Sequence, residues 1–398
     1  MYVSRPQEKF LQEALQGQMG ILIHGQSGCG KTWLYKKVLE DSAIPTVAVN
    51  LSDAKSDASL LGALERAITF ENRLKSFTKD ERITRRVNVG VASLEHQALS
   101  MKDPPAEKDF YFFAKKISEY FHGRKYCIIL DNSEQVISEP RIIADMCNMI
   151  MSLDDARFEG IEFQIVIVGV PAHIQHILSN FQYGETVKNR IIEIPEITGF
   201  ERAELNELLN RGFEQKLGLK VLQKNTIYSE IEFYTLGVPQ FVHSIALYAS
   251  RAALSSDCLI TSDTVKHATL RMLRDSIFKH YSTIESRVRK SNIDYRKYCA
   301  VLKIISNFDS GHFFVSSVIN ALRRDYLLNT FYDKDVYAIV RDLCEEPNPI
   351  LRYDSNLENY TFNSPEVRLC MRVLISSEHP SGPSLIEMDG FRSKYERV

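Results

Sequence analysis

The sequence predicts an α/β fold with a parallel sheet, followed by a helical segment and then a winged-helix domain. Short apolar runs alternate with helical patterns over the first half of the chain, which is typical of a parallel sheet covered by helices on both faces. Beyond Gly199 the pattern becomes helical and ends in helices followed by a β-ribbon. The chain has 398 residues, which is enough for about two or three domains.

The composition excludes several classes of protein. Hydrophobic residues make up 44% and charged residues 25%, which excludes a disordered chain or a coiled rod. The net charge of -2 excludes a protein that coats nucleic acid, but not a local basic patch. The 7 scattered cysteines lack CxxC spacing and argue against a zinc site or a disulfide framework. Because there is no signal-peptide pattern or long apolar run, we expect a soluble cytoplasmic protein without membrane contact.

Residues 1–198 form the predicted α/β core. Its strands are expected at Gln18–His24, Pro45–Leu51, Tyr126–Leu130, Gln164–Val168 and Ile191–Ile194. Amphipathic patterns at Leu60–Thr69 and Phe110–Phe121 predict helices between these strands. Residues 71–108 are polar and contain a basic group, Arg82, Arg85 and Arg86, so they predict a surface insertion.

The second half of the chain predicts a helical lid at 199–285, a winged-helix domain at 286–376 and a polar tail at 377–398. The winged-helix pattern consists of helices at Tyr295–Asn307, Phe314–Arg324 and Asp333–Glu346 and a hairpin formed by 350–353 and 360–363. A further helix is expected to begin at Ser364, Pro365 and Glu366, which supply a cap, a proline at the first position and an acidic first turn.

The segment Gly25–Thr32 reads GQSGCGKT and matches the GxxxxGK[ST] pattern between a strand and a helix. Its glycines let backbone N–H groups point at phosphate oxygens, and the helix N-terminus adds a favourable potential. Lys31 supplies a positive charge for the β and γ phosphates, and Thr32 offers a hydroxyl to Mg²⁺. The predicted nucleotide contacts are Gly25, Gln26, Ser27, Gly28, Cys29, Gly30, Lys31, Thr32 and Trp33. Trp33 lies beside the loop, and we expect its ring to be packed rather than catalytic.

A carboxylate at the end of a neighbouring strand is needed to complete the Mg²⁺ site, and Asp131 follows the apolar run YCIIL. With Gly25–Thr32 as Walker A, Tyr126–Asp131 as Walker B and Gly237–Pro239 in the lid, roughly residues 1–285 resemble an AAA+ P-loop ATPase. The likeness is to origin-recognition initiators, transposon-encoded target-selection ATPases and STAND switch ATPases. It implies ATP or ADP and Mg²⁺ as cofactors, with Thr32 and Asp131 at the metal. The winged helix is also similar to that of initiators.

The chain departs from the family pattern where the γ-phosphate would react. The family's glutamate after the Walker B aspartate is Asn132 here, and an amide cannot accept the proton of an attacking water. Glu134 and Glu139 are the candidate substitutes, although each also fits a solvated loop carboxylate. A polar residue is expected near Val170, and a basic residue after Pro239, where the chain has Gln240.

Two arginines have positions that the resemblance marks. Arg190 matches the trans-acting arginine finger, which reaches the γ-phosphate of a neighbouring subunit, although a surface salt bridge is an alternative role. Arg5 resembles the segment on the adenine side of the nucleotide. The catalytic group predicted by the resemblance is therefore Asp131, Asn132, Glu134 and Arg190, and the nucleotide contacts outside the loop are Arg5, Pro239 and Gln240.

The charge pattern gives conflicting signals about DNA. Residues 266–297 hold nine Lys or Arg against three Asp or Glu, which fits a phosphate-binding surface or a helix face balanced by an acidic neighbour. The predicted recognition helix, 333–346, holds two basic and five acidic residues, which is poorly suited to a DNA groove.

Two hypotheses follow. In the first, the protein is an ATP-dependent switch with slow hydrolysis that oligomerises and regulates or recruits a partner protein, on DNA or off it, in a mobile-element or phage-defence type of system. In the second, it is a nucleotide-stabilised regulatory scaffold whose winged helix contacts only protein. A processive motor is disfavoured by Asn132, Val170 and Gln240. DNA affinity that falls steeply with salt would favour the first hypothesis, and no binding at low salt the second.

Overall fold

The computed structural model describes residues 2–57, 59–69, 109–136, 138–169, 184–308, 311–326, 333–354, 358–376 and 384–385. The predicted insertion at 71–108, Val170 and most of the predicted tail lie outside these residues. The chain divides into two compact units. The N-terminal unit comprises Ser4–Gln26 and Gly30–Thr198, and the C-terminal unit comprises Met1–Val3, Ser27–Cys29 and Gly199–Val398.

A five-stranded parallel sheet forms the centre of the N-terminal unit. Its strands are β1 (Gly20–His24), β2 (Thr46–Asn50), β3 (Tyr126–Asp131), β4 (Phe163–Gly169) and β5 (Ile191–Glu193). They lie in the order β2-β3-β4-β1-β5, and each pairing is parallel. Strands β1 and β4 are buried along their whole length, as expected for a sheet with helices on both faces. The predicted α/β fold is therefore confirmed.

Helices follow most strands of this unit. They are α1 (Gln7–Ala14), α2 (Lys31–Asp41), α3 (Leu51–Asp57), α4 (60–69), α5 (Phe110–Tyr120), α6 (Pro140–Met151) and α7 (Gly184–Lys188). Helix α5 begins where the side chain of Asp109 accepts a hydrogen bond from the backbone N–H of Phe112 at 3.0 Å. Because all five strands run the same way, the ends of β2 and β3 lie next to each other, with Asn50 paired to Asp131.

The C-terminal unit begins with helices joined by a short parallel strand pair. These elements are α8 (Arg202–Asn210), β6 (Lys220–Val221), α9 (Lys224–Thr235), α10 (Pro239–Leu254), β7 (Leu259–Ile260), α11 (Ser262–Met272) and α12 (Phe278–Lys290). π-Helical turns at Arg211–Lys216 and Leu273–Ile277 follow α8 and α11. The predicted domain border at 285/286 lies inside α12, and one continuous buried core covers both sides of it.

The remaining part of this unit contains the predicted hairpin. Its elements are α13 (Tyr295–Asn307), β8 (His312–Phe313), α14 (Val315–Tyr326), α15 (Asp333–Cys344), β9 (Leu351–Asp354), β10 (Asn359–Phe362), α16 (Pro365–Leu374), β11 (Ile375–Ser376) and β12 (Ser384–Leu385). Strand β10 pairs antiparallel with both β8 and β9. The hydroxyl of Ser364 accepts a hydrogen bond from the N–H of Val367 and caps α16, as the sequence predicted.

A tight turn leads from α9 into α10. Leu236 and Gly237 both have positive φ, 56° and 70°. The carbonyl oxygen of Gly237 accepts a hydrogen bond from the N–H of Phe200 at 2.7 Å. A Cβ atom at Gly237 would collide with the backbone of Phe200, so only glycine fits this approach.

We expect Gly237→Ala to destabilise the C-terminal unit more than Gly218→Ala. Both glycines have positive φ, but a Cβ at Gly218 would meet no atom within 4 Å. The Gly218 change should therefore cost only backbone strain, about 1 kcal/mol. The Gly237 change should cost about 1–3 kcal/mol more, because it also forces atoms apart. Urea unfolding of the full chain, followed by circular dichroism, compares the two. Equal midpoints for the two variants would contradict the close approach.

Candidate nucleotide site

The glycine-rich loop connects the end of β1 to the start of α2. Its backbone takes left-handed conformations at Gly28, with φ 77°, and at Gly30, with φ 98°. Residues with a side chain rarely adopt these angles, which explains why the motif places glycine at both positions. Gly30 is the residue before α2, so the free N–H groups of the first helical turn begin directly after the loop.

Lys31 carries its ammonium group into the curve of this loop. Its Nζ donates hydrogen bonds to the carbonyl oxygens of Gly25 at 2.7 Å and Gln26 at 2.9 Å. The side chain therefore folds back over the loop, and its positive charge lies among the backbone groups that the motif offers to phosphates. The contact with the β and γ phosphates stays a prediction.

The carboxylate of Asp131 is the centre of a hydrogen-bond cluster at the end of β3. Its Oδ2 accepts a hydrogen bond from the hydroxyl of Tyr35 at 3.0 Å and lies 3.5 Å from the hydroxyl oxygen of Thr32. Its Oδ1 accepts a hydrogen bond from the N–H of Asn132 at 2.9 Å. Burial first, and then the negative charge of Asp131, raise the pKa of Tyr35 above its usual range, so its hydroxyl stays a donor. Sequence reasoning missed Tyr35, although it lies one helical turn after Thr32.

Asn132 is held in a fixed orientation beside this cluster. Its φ of 62° is a left-handed value that asparagine tolerates better than most residues. Its side-chain Nδ2 donates to Oδ1 of Asn50 at 3.0 Å across the ends of β3 and β2. Sequence reasoning missed Asn50, whose signal is its place at the end of the neighbouring strand. The position after Asp131 therefore presents an amide, which can orient a water but not take its proton.

Glu134 lies in the short 3-10 turn Ser133–Val136, two residues further on. Its Oε2 is enclosed and has no hydrogen-bond partner among the described residues. This oxygen does not fit the alternative of a solvated loop carboxylate. A buried carboxylate oxygen without a donor is costly, so the position favours a bound water or ligand group as its partner.

The two marked arginines are both engaged within their own chain. Arg190 forms an ion pair with Asp154 at 2.6 Å and donates from Nη1 to the carbonyl oxygen of Thr186 at 3.0 Å. Arg5 is buried and donates from Nη1 to the carbonyl oxygen of Thr198 at 3.0 Å. Arg190 thus has the salt bridge that the sequence offered as its alternative role.

Our expectation that the ring of Trp33 is packed is wrong, because its side chain is 66% exposed. The buried residues of α2 are Leu34, Tyr35, Val38 and Leu39, and helical geometry places position 33 away from that face.

Pro239 and Gln240 open α10, and both lie in the same unit as the tip of the loop. The N–H of Gln240 donates to the carbonyl oxygen of Gly28 at 3.2 Å. A Cβ at Gly28 would lie 2.6 Å from Oε1 of Gln240, so the absence of a side chain at this glycine permits the contact. Cys29 is buried, and its neighbour Ser27 is exposed.

The residues present fit a nucleotide with Mg²⁺. The loop places glycines with left-handed backbone at positions 28 and 30, and Lys31 adds one positive charge. Magnesium prefers hard oxygen ligands, and the hydroxyl oxygen of Thr32 lies 3.5 Å from a carboxylate oxygen of Asp131.

The basic stretch at 266–297 forms many of its ion pairs inside the C-terminal unit. Lys297 pairs with Asp335 of α15 at 2.9 Å, and Arg289 pairs with Glu285 at 2.9 Å. The guanidinium of Arg287 donates to carbonyl oxygens at and beyond the end of α15, those of Asp342, Glu345, Pro347 and Asn348. Part of the positive charge of this stretch is therefore compensated inside the C-terminal unit, and phosphate binding by the stretch stays a prediction.

Two further contacts partly offset the acidic charge of α15. Asp333 pairs with Arg323 at 2.7 Å, and the carboxylate of Asp342 accepts a hydrogen bond from the hydroxyl of Tyr298. The net charge read from the sequence of this helix thus overstates the field that it presents.

Comparisons with known proteins agree with the geometry. Residues 14–178 match the family model described as an AAA domain. A Walker-type ATPase of Pyrococcus abyssi is similar in structure, with a TM-score of 0.56 and 16% identity over 93% of this chain and 96% of that one. The ORC2 protein of Aeropyrum pernix, solved in ADPNP-ADP complexes, has a TM-score of 0.54 and 15% identity over 94% and 93% of the two chains. The chain has a P-loop AAA+ fold.

No curated protein matches the sequence. Within the described ranges, no helix is both long and apolar enough to cross a membrane.

We expect Arg287→Ala to lower the stability of the full chain by about 2 kcal/mol, because it leaves several carbonyl oxygens at the end of α15 without their donor. Arg289→Ala removes the same charge from the same helix and breaks a largely exposed pair with Glu285, so its effect should be much smaller. Urea unfolding measures both. A similar, small loss of stability for the two variants would show that the hydrogen bonds of Arg287 to these carbonyl oxygens do not stabilise the fold.

Proposed function

We propose that the protein is an ATP-binding AAA+ switch with slow hydrolysis, which self-associates and regulates or recruits a partner protein. One observation carries this proposal: the groups that would bind the nucleotide and Mg²⁺ are assembled, while the residue after Asp131 is an amide fixed to Asn50. A site that binds but hydrolyses slowly suits a switch, because the bound state then lasts long enough to be read by a partner.

Binding would depend on residues with distinct roles. Backbone N–H groups of the loop and the ammonium of Lys31 would hold the phosphates, and Thr32 and Asp131 would hold Mg²⁺. When bound, Mg²⁺ neutralises negative charge on the phosphate oxygens. The ADPNP-ADP complexes of the Aeropyrum pernix protein, which has the same fold, support ATP or ADP as the ligand.

Slow hydrolysis follows from the chemistry of position 132. The amide of Asn132 can hold an attacking water but cannot remove its proton. General-base assistance is typically worth about 10²–10⁴-fold in rate, so its loss leaves positioning and charge stabilisation as the main contributions. Glu134 is the nearest carboxylate along the chain that could give residual assistance.

Self-association through Arg190 would require an exchange of partners. The guanidinium is paired with Asp154 in its own chain and would have to leave that carboxylate to reach a phosphate in a neighbouring copy. Assembly would then depend on the nucleotide, as a switch requires. A mobile-element or phage-defence setting is part of the proposal and is supported by the resemblance alone.

A second function, a nucleotide-stabilised scaffold, is favoured by the internal charge pairing of the C-terminal unit. If 286–376 is a winged-helix domain, Lys297 pairs with Asp335 and Arg323 with Asp333 inside it, which leaves less charge for DNA phosphates. Protein contact is then its main use.

We expect Lys31→Ala to weaken the binding of ATP and of ADP with Mg²⁺ by about tenfold to a hundredfold, the usual loss for a charge-assisted hydrogen bond. Lys37→Ala is the matched control, since this lysine of α2 pairs only with exposed Asp41. Titration calorimetry gives the affinities, and light scattering in ATP and in ADP reports assembly. Wild-type protein without affinity for either nucleotide would end the proposal.

We expect wild-type single-turnover hydrolysis to be slower than about 1 s⁻¹, the lower end of typical turnover rates. Asn132→Glu restores a proton acceptor and should raise the rate by about tenfold or more. Asn132→Gln introduces a side chain of the same length as glutamate and with the same backbone strain. Its amide cannot accept a proton, so hydrolysis should stay slow. A fast wild type, or equal rates for the Glu and Gln variants, would contradict the slow switch.

A further inference from the structure

Tyr35 contacts the candidate metal site from outside the sequence motif. The GxxxxGK[ST] pattern ends at Thr32, and neither Walker segment includes position 35. In the structure, the hydroxyl of Tyr35 donates to Oδ2 of Asp131 at 3.0 Å, closer than the 3.5 Å between Thr32 and the same oxygen. Tyr35 thus provides the shorter of the two side-chain contacts to this carboxylate.

The position of the hydroxyl follows from the helix and its packing. Thr32 and Tyr35 are three residues apart on α2, so they lie on the same face and point at the same strand end. The ring of Tyr35 is 4% exposed, which leaves it little freedom to rotate. A leucine or phenylalanine would fill the same space but would offer no hydrogen bond. The polar atom is therefore the feature that packing alone does not explain.

The other donors to Asp131 limit how the carboxylate can move. The N–H of Asn132 binds Oδ1, but it belongs to the next residue and follows the backbone. The hydroxyl of Tyr35 comes from a different element and binds the other oxygen. With both oxygens held from two sides, the plane of the carboxylate is fixed toward Thr32 before any ligand arrives.

We propose that Tyr35 is a positioning residue for magnesium: its hydroxyl fixes the carboxylate of Asp131 so that Asp131 and Thr32 together hold Mg²⁺ beside the nucleotide. The inference rests on the proposed function, since it assumes that this site binds nucleotide with Mg²⁺. Partners that orient a metal-binding carboxylate are typically worth 10–100-fold in metal affinity. Loss of the Tyr35 hydroxyl should therefore raise the Mg²⁺ concentration that nucleotide binding requires. It should change the nucleotide affinity measured without Mg²⁺ much less.

The test measures the binding of a fluorescent ATP analogue to the full chain at increasing Mg²⁺, and separately in EDTA. Tyr35→Phe should raise the Mg²⁺ concentration at half-maximal binding by about tenfold and change the EDTA affinity by less than about twofold. Tyr35→Leu, which also lacks the hydroxyl, should shift the Mg²⁺ requirement in the same direction.

Tyr298→Phe is the matched control. Tyr298 is also a buried tyrosine, and its hydroxyl donates to the carboxylate of Asp342 in the C-terminal unit. Loss of this hydroxyl removes one buried hydrogen bond, as at Tyr35, but touches no residue of the loop. It should leave the Mg²⁺ requirement within about twofold of wild type. Thermal unfolding of each variant shows whether the fold is retained.

Each outcome has one meaning. An unchanged Mg²⁺ requirement in Tyr35→Phe, together with a raised one in Asp131→Ala, overturns the role of Tyr35 and leaves the metal site intact. An equal shift in Tyr35→Phe and Tyr298→Phe assigns the effect to general stability and also overturns the proposal. No nucleotide binding by the wild type, or no effect of Asp131→Ala, overturns the proposed site itself.

Discussion

The structure of the candidate site depends on one constraint, the parallel direction of the strands. Because β1, β2 and β3 end at the same edge of the sheet, the loop after β1, the carboxylate at the end of β3 and the amide at the end of β2 meet there. None of these groups is close to the others in sequence. The hydrogen bonds that reach Asp131 from α2 then connect the helix behind the loop to the end of β3.

The same arrangement separates binding from chemistry. The loop, Lys31 and Thr32 belong to one continuous segment, and this segment is complete. The groups that would act on an attacking water come from the turn after Asp131, where a fixed amide and a partly enclosed carboxylate follow each other. A substitution in that turn can alter proton transfer while the loop keeps its own contacts, since Lys31 binds carbonyl oxygens within the loop itself. Under the proposed function, this separation would let the bound state last.

Much of this was predictable from the sequence because the signals are local. The strands are continuous apolar runs, the loop is a contiguous motif, and α16 begins with a cap and a proline. The contacts of Tyr35 and Asn50 were not predictable, since each depends on which strand ends become neighbours. The exposure of Trp33 was missed because proximity to the loop was taken for burial, whereas the phase of the helix decides which face is covered. The role of Arg287 was missed because net charge does not show which charges face each other.

The contacts between α15 and the basic stretch also constrain how this part of the chain can change. Lys297 and Asp335 form a partly buried pair, so replacing one of them removes the opposite charge that this pair supplies to the other. Homologous chains that lose one of these residues should therefore lose both, or exchange their signs together. Covariation at the two positions in homologous sequences would then reveal this contact without any structure.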